Sequence, residues 1–97
     1  MPDDDLLRLY AIVEGRVQGV GFRNFVLDAA LSFGLKGWVR NLWDDNVEVV
    51  AEGRREALDN FLQKLQRGPR AAYVTGIKQD WQPATGEFRD FRIRPTA

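Results

Sequence analysis

Residues 6–14 alternate in character: Leu7, Leu9, Ala11 and Val13 fall on one side, Arg8, Tyr10, Ile12 and Glu14 on the other. A period of two marks a β-strand, and Tyr10 and Ile12 imply that its second face is partly covered too. A glycine-containing segment, 15–21, follows. From Phe22 the period becomes helical: Phe22, Phe25, Val26, Ala29, Ala30 and Phe33 form one apolar stripe, and Gly34 stands where a helix-ending glycine belongs. Residues 35–42 predict a second strand, Trp43-Asp44-Asp45-Asn46 a turn, and 47–52 a third strand, so 35–52 is expected to be a hairpin. Ala57, Leu58, Phe61, Leu62 and Leu65 mark a second amphipathic helix, stopped by Gly68-Pro69. Residues 73–81 predict a fourth strand around Val74, Ile77 and Trp81. After a loop at 82–87, residues 88–94 predict a short last strand with Phe91 and Ile93 inward.

The order is β-α-β-β-α-β with a short extra strand. Two β-α-β halves joined by a hairpin give an α+β, ferredoxin-like sandwich: an antiparallel sheet with two helices on one face. Right-handed crossovers leave few other topologies. The expected organisation is a flexible acidic tail at residues 1–5 and a single domain over 6–97.

Composition narrows the chemistry. The chain has 97 residues, enough for one domain. It has no cysteine and no histidine. Disulfides, thiolate nucleophiles, Ser-His-Asp triads and typical zinc sites are therefore excluded. Lys+Arg and Asp+Glu are both 14, so no basic excess points to nucleic acid. No apolar run approaches the ~20 residues of a membrane span, and the start, Met1-Pro2-Asp3-Asp4-Asp5, is acidic rather than signal-like. The expectation is a cytoplasmic monomer with no membrane or nucleic-acid partner.

The segment 15–23 reads GRVQGVGFR and joins a strand to a helix. Its glycines allow tight turning and leave backbone N–H groups open to a ligand. A helix N-terminus favours an anion through unpaired N–H groups and the helix dipole. Arg23, in the first helical turn, is unfavourable there unless an anion is bound, and its guanidinium can take two oxygens at once. The plain alternative is a glycine turn with Arg23 solvated. Walker spacing fails for want of a Gly-Lys pair, and Asn24 stands where a dinucleotide motif needs its third glycine. A second motif, GWVRN at 37–41, places Asn41 near the end of the second strand. Its carboxamide can hold a water, or can simply satisfy the turn.

Together, GRVQGVGFR and GWVRN resemble the acylphosphatase signature, and the resemblance continues through VEVVAEG (47–53) and Gly68-Pro69. It implies a ferredoxin-like fold and hydrolysis of small-molecule acyl phosphates with no metal and no cofactor. By the same resemblance, Arg23 and the backbone amides of Val17, Gln18, Gly19, Val20, Gly21 and Phe22 bind phosphate, and Asn41 positions the attacking water. An acyl phosphate has a carboxylate leaving group that departs without a strong acid, so missing histidine is no obstacle. The hairpin turn departs from the family pattern: Trp43 and Asn46 stand where a more glycine-like turn is expected.

Other features have plainer readings. Trp38, Trp43 and Trp81 are expected to pack in the core or on the sheet. Asp44, Asp45 and Glu48 are expected to be solvated turn residues rather than a metal site. Arg54-Arg55 reads as a helix-start or exposed pair. An RNA-recognition domain shares the element order but needs aromatics on its third strand, where this chain has Val47-Glu48-Val49-Val50-Ala51-Glu52.

Overall fold

The computed structural model describes residues 6–97, so the expected acidic tail lies outside the described residues. The elements are β1 (Leu6–Arg16), α1 (Phe22–Ser32), β2 (Lys36–Asn41), β3 (Val47–Arg54), α2 (Arg55–Arg67), β4 (Tyr73–Pro83) and β5 (Phe91–Ile93). The strands form one sheet in the order β4-β1-β3-β2-β5. This is the ferredoxin-like arrangement, with one correction. The sequence predicts an antiparallel sheet, but β5 pairs parallel with β2, which makes the sheet mixed. The physical reason lies in the segment after β4. Glu52, near the end of β3, accepts the N–H groups of Thr85 at 2.9 Å and Gly86 at 3.0 Å. That draws the chain across the end of the sheet to the free edge of β2. There Gly37 N–H donates to Asp90 O at 2.9 Å, and β5 enters in the direction of β2.

β1 also runs two residues further than its alternation predicts. Its register against β4 shifts between Glu14 and Gly15, a bulge that lets Gly15 and Arg16 continue pairing. Gly15 has φ 124, and a Cβ there would lie 2.1 Å from Tyr73 O, so only glycine fits. β5 is shorter than expected, and only half of its inward assignment holds. Phe91 is buried and meets Phe61 edge-on with ring centroids 6.3 Å apart, whereas Ile93 is 37% exposed.

The core lies between the sheet and the helices. Leu9, Ala11 and Val13 of β1 stand opposite Ala51, Val49 and Val47 of β3, and all six are buried. Phe22, Val26, Ala29 and Ala30 of α1 and Leu58, Phe61, Leu62 and Leu65 of α2 close over them. α1 ends as predicted: Leu35 N–H donates to Ala30 O and Gly34 N–H to Leu31 O, the paired bonds of a glycine-terminated helix.

The other face of the sheet carries polar side chains that satisfy one another. Tyr10 donates to Glu48, which also accepts from Arg40 Nε at 2.6 Å. The bond to Glu48, aided by burial, pushes the Tyr10 hydroxyl up to about 12. The Arg40 and Arg94 guanidiniums flank Trp38 at 4.7 and 4.8 Å from its ring. Trp81 is half-buried beneath Arg55, at 4.3 Å. The packing role holds for these two tryptophans but not for Trp43, which is 82% exposed at the hairpin tip.

Candidate active site

The loop between β1 and α1 is pinned at both ends by burial. Val17 and Phe22 are 1% and 2% exposed, and burying such side chains stabilises by roughly 1.5–3 kcal/mol each. Between them the chain arcs outward. Gly21 is the N-cap of α1 in the left-handed conformation, φ 77, with no side-chain cap and no acidic residue in the first turn. The first backbone bond closing the helix runs from Phe25 N–H to Gly21 O at 3.1 Å. Among the described residues, the N–H groups from Val17 to Asn24 find no acceptor in the protein. An uncapped helix start with a row of free donors can receive an anion.

Arg23 stands in the first turn of α1 and enters no ion pair among the described residues. Asn41 ends β2 opposite Val47, and its carbonyl accepts Ala97 N–H at 3.1 Å. Its side-chain Oδ1 is buried with no partner among the described residues. A buried acceptor without a donor is costly, and a bound water would relieve that cost. The turn-satisfying role open to Asn41 in the sequence falls instead to Asp44, whose Oδ1 accepts Asn46 N–H at 3.1 Å.

These groups line one cleft of about 210 Å³: Val17, Gly19, Gly21, Phe22, Arg23 and Asn24 from the loop and helix start, Asn41 from β2 and Ile93 from β5. The volume is below the roughly 300–1,000 Å³ of drug-sized sites and suits a small anion. The structure thus brings Arg23 and Asn41 together with four of the six expected loop residues. Gln18 and Val20 do not line the cleft. The side chain of Gln18 turns instead to the β2–β3 hairpin, where Nε2 donates to Leu42 O and Asn46 O, both at 2.8 Å. Sequence reasoning missed Asn24, Ile93 and this use of Gln18. A helical position one residue past Arg23 was a usable signal for Asn24, whereas Ile93 depends on the parallel placement of β5.

Asp44 and Asp45 are exposed at the hairpin tip, but Glu48 is not the solvated turn residue expected: it is buried in β3, where Tyr10 and Arg40 donate to it. Among the described residues, no group of three or more acids, cysteines or histidines is placed to hold a metal ion. No helix of the described residues is long and apolar enough to cross a membrane.

Comparison with known proteins adds independent findings. The family model described as acylphosphatase matches residues 9–93. An acylphosphatase from Thermus thermophilus is 52% identical over 79 residues, covering 81% of this chain and 90% of that protein. One from Aeropyrum pernix is 47% identical over 92 residues, covering 94% of this chain and 91% of that one. The crystal structure of acylphosphatase from Bacillus subtilis superposes with a TM-score of 0.88 at 40% identity, covering 91% of this chain and 98% of that one.

Proposed function

The chain belongs to the acylphosphatase family, and from that premise we propose that it hydrolyses the carboxyl–phosphate bond of small acyl phosphates by direct attack of water. Loop amides and the Arg23 guanidinium hold the phosphoryl oxygens and stabilise their charge as it redistributes. Asn41 Oδ1 accepts a hydrogen bond from the water and orients its oxygen toward phosphorus. A phosphorus–oxygen bond forms to that water while the bond to the acyl oxygen breaks, and the carboxylate leaves with the electron pair. The water proton passes to a phosphate oxygen, because no histidine is present and no carboxylate lines the cleft.

The observation that carries this reading is the orphaned Oδ1 of Asn41 in the same cleft as Arg23 and the free loop amides. A simple anion site has use for the arginine and the amides but none for a buried acceptor. The test is hydrolysis of benzoyl phosphate in chelator-containing buffer. Wild type is expected to turn over, and Asn41→Ala to lose about 10²-fold in kcat while still binding inorganic phosphate. A folded wild type that binds phosphate without turnover would make the protein an anion-binding module instead.

A further inference from the structure

We infer that Gln18 is a positioning residue that sets Asn41 at its distance from the phosphate cradle, by cross-linking the loop to the β2–β3 hairpin. The inference rests on the hydrolytic reading above. Asn41 and Arg23 sit on different elements, and water must be aligned with phosphorus to within a fraction of an ångström. Something must hold the strand end and the loop in fixed relation. Gln18 is the side chain that spans them.

A carboxamide nitrogen carries two hydrogens, and Gln18 uses both. One goes to Leu42 O, the residue directly after Asn41, and the other to Asn46 O, where β3 is about to begin. These carbonyls belong to the two sides of the turn. Leu42 N–H already donates to Asn46 O at 2.9 Å, and Asp45 N–H to Leu42 O at 3.2 Å. Gln18 therefore grips the closed hairpin at both stems, which fixes the hairpin's direction as well as its distance. A single bond would leave it free to pivot. The geometry also explains the residue type. Glutamate has no hydrogens for the two carbonyls and would set a negative charge against them, and methionine fills the volume but donates nothing. Val17, buried immediately before Gln18, fixes the other end of the linkage in the core. The role belongs to the side chain of Gln18, which does not line the cleft.

A residue that only supported the fold would lower thermal stability and leave the chemical step alone. A positioning residue lowers kcat, spares phosphate affinity, and matters only while Asn41 is present. The test measures kcat and KM for benzoyl phosphate, with the inhibition constant of inorganic phosphate, in wild type, Gln18→Met, Asn41→Ala and the double variant. Gln18→Met is expected to lower kcat about 10- to 100-fold. The phosphate inhibition constant should change less than about threefold, and adding Gln18→Met to Asn41→Ala should cost less than about threefold, because interacting sites are non-additive. Equal losses in both backgrounds, or phosphate affinity falling in step with kcat, would overturn the inference and leave the function standing. A wild type without turnover overturns both. NMR exchange of the Gln18 side-chain amide in the wild type tests the linkage without any variant: slowed exchange of both protons is expected, and exchange at the rate of a solvated glutamine overturns it.

Discussion

Two clefts of almost equal volume, about 210 and 220 Å³, lie at opposite ends of the central strands. From Val47 beside Asn41 to Glu52 is five strand residues, about 17 Å at the usual rise. At the Glu52 end the protein satisfies itself. The buried Glu52 carboxylate accepts from Arg8 Nε at 2.8 Å, from the Thr85 hydroxyl and N–H, and from Gly86 N–H, while Arg8 also reaches Glu87 at 2.7 Å. At the Asn41 end, donors from Val17 to Asn24, one guanidinium and one buried acceptor are left unmatched among the described residues. Similar polar atoms and similar space thus serve different ends. A cavity whose polar groups are already matched by the chain stabilises the fold. A cavity whose groups are matched by nothing in the chain has donors and an acceptor to offer, which is what the proposed phosphoryl site requires.

The sharpest way to break this contrast is Arg23→Ala. If the unmatched end is built for a phosphoryl group, removing its one guanidinium should cut kcat/KM for benzoyl phosphate by at least about 10²–10³ and weaken inhibition by inorganic phosphate. The urea midpoint should hardly move, since Arg23 has no partner in the described fold. Near-normal turnover would remove the basis for treating the two ends differently.

Glu52→Gln is the reciprocal experiment. It should cost about 2 kcal/mol in urea unfolding, because a charge-assisted network around a buried carboxylate is broken. At that distance from the site, turnover should stay within roughly twofold. The pH dependence carries a sign. Burial alone would push the Glu52 carboxyl up, but bonds from Thr85, Arg8 and Gly86 outweigh it and leave it below its ordinary 4.5. A carboxyl depressed by folding gives stability that is present above its unfolded value and lost as pH falls through the folded one. Wild type should therefore show a steeper acid loss than Glu52→Gln, measured as urea midpoints from pH 6 downward.

How much of this contrast was legible in the sequence depends on whether the signal is local. The periods of both helices and of the long strands, Gly34 as a helix end, and the places of Arg23 in a first helical turn and Asn41 at a strand end are local patterns, and the structure has each of these elements there, with β1 two residues longer. The parallel β5 was not legible, because it follows from Glu52 holding Thr85 and Gly86 across 33 and 34 positions of chain. Ile93 entered the cleft for the same reason, and so escaped its inward assignment. Gln18 was legible as a member of the loop but not in its role, since the two carbonyls it binds carry no side-chain signature. The Glu52 network was invisible altogether: Arg8, Glu52 and Thr85 are ordinary residues until the fold gathers them.

Between the two ends, Tyr10 sharpens the argument at alkaline pH. Its hydroxyl is pushed up to about 12 by its bond to Glu48, from an ordinary 10.0. A proton held more tightly in the folded state gives stability that is complete below the unfolded value and lost as pH rises toward the folded one. Urea midpoints of wild type should therefore decline between pH 10 and 12 more than those of Tyr10→Phe. Turnover measured at neutral pH should be the same for both, because Tyr10 lies on the sheet face away from the helices and is absent from the cleft lining. Equal alkaline slopes would place the decline elsewhere.

The smallest expected effect tests whether the Asn41 end also carries strain that the other lacks. Each end has a turn residue with positive φ. At the Glu52 end it is Gly86, φ 75, where glycine adopts the conformation without penalty. At the Asn41 end it is Asp45, φ 76, the one non-glycine residue in that region among those described. The sequence departs from a glycine-like turn at Trp43 and Asn46, yet the backbone demand falls on Asp45 between them. An L-residue there costs about 1 kcal/mol, at the low end because aspartate tolerates the conformation. Asp45→Gly removes that cost but adds unfolded-state freedom of about 0.4–1 kcal/mol. The native-state term wins narrowly, so the variant should gain about 0.3 kcal/mol, or roughly 1–2 °C in Tm for a domain of this size. The sign matters more than the size. A gain means the hairpin is held against its own backbone preference, with Gln18 gripping both stems to keep it there. A loss means that the Asp45 side chain contributes more than its backbone costs, and that the two turns differ in residue but not in strain.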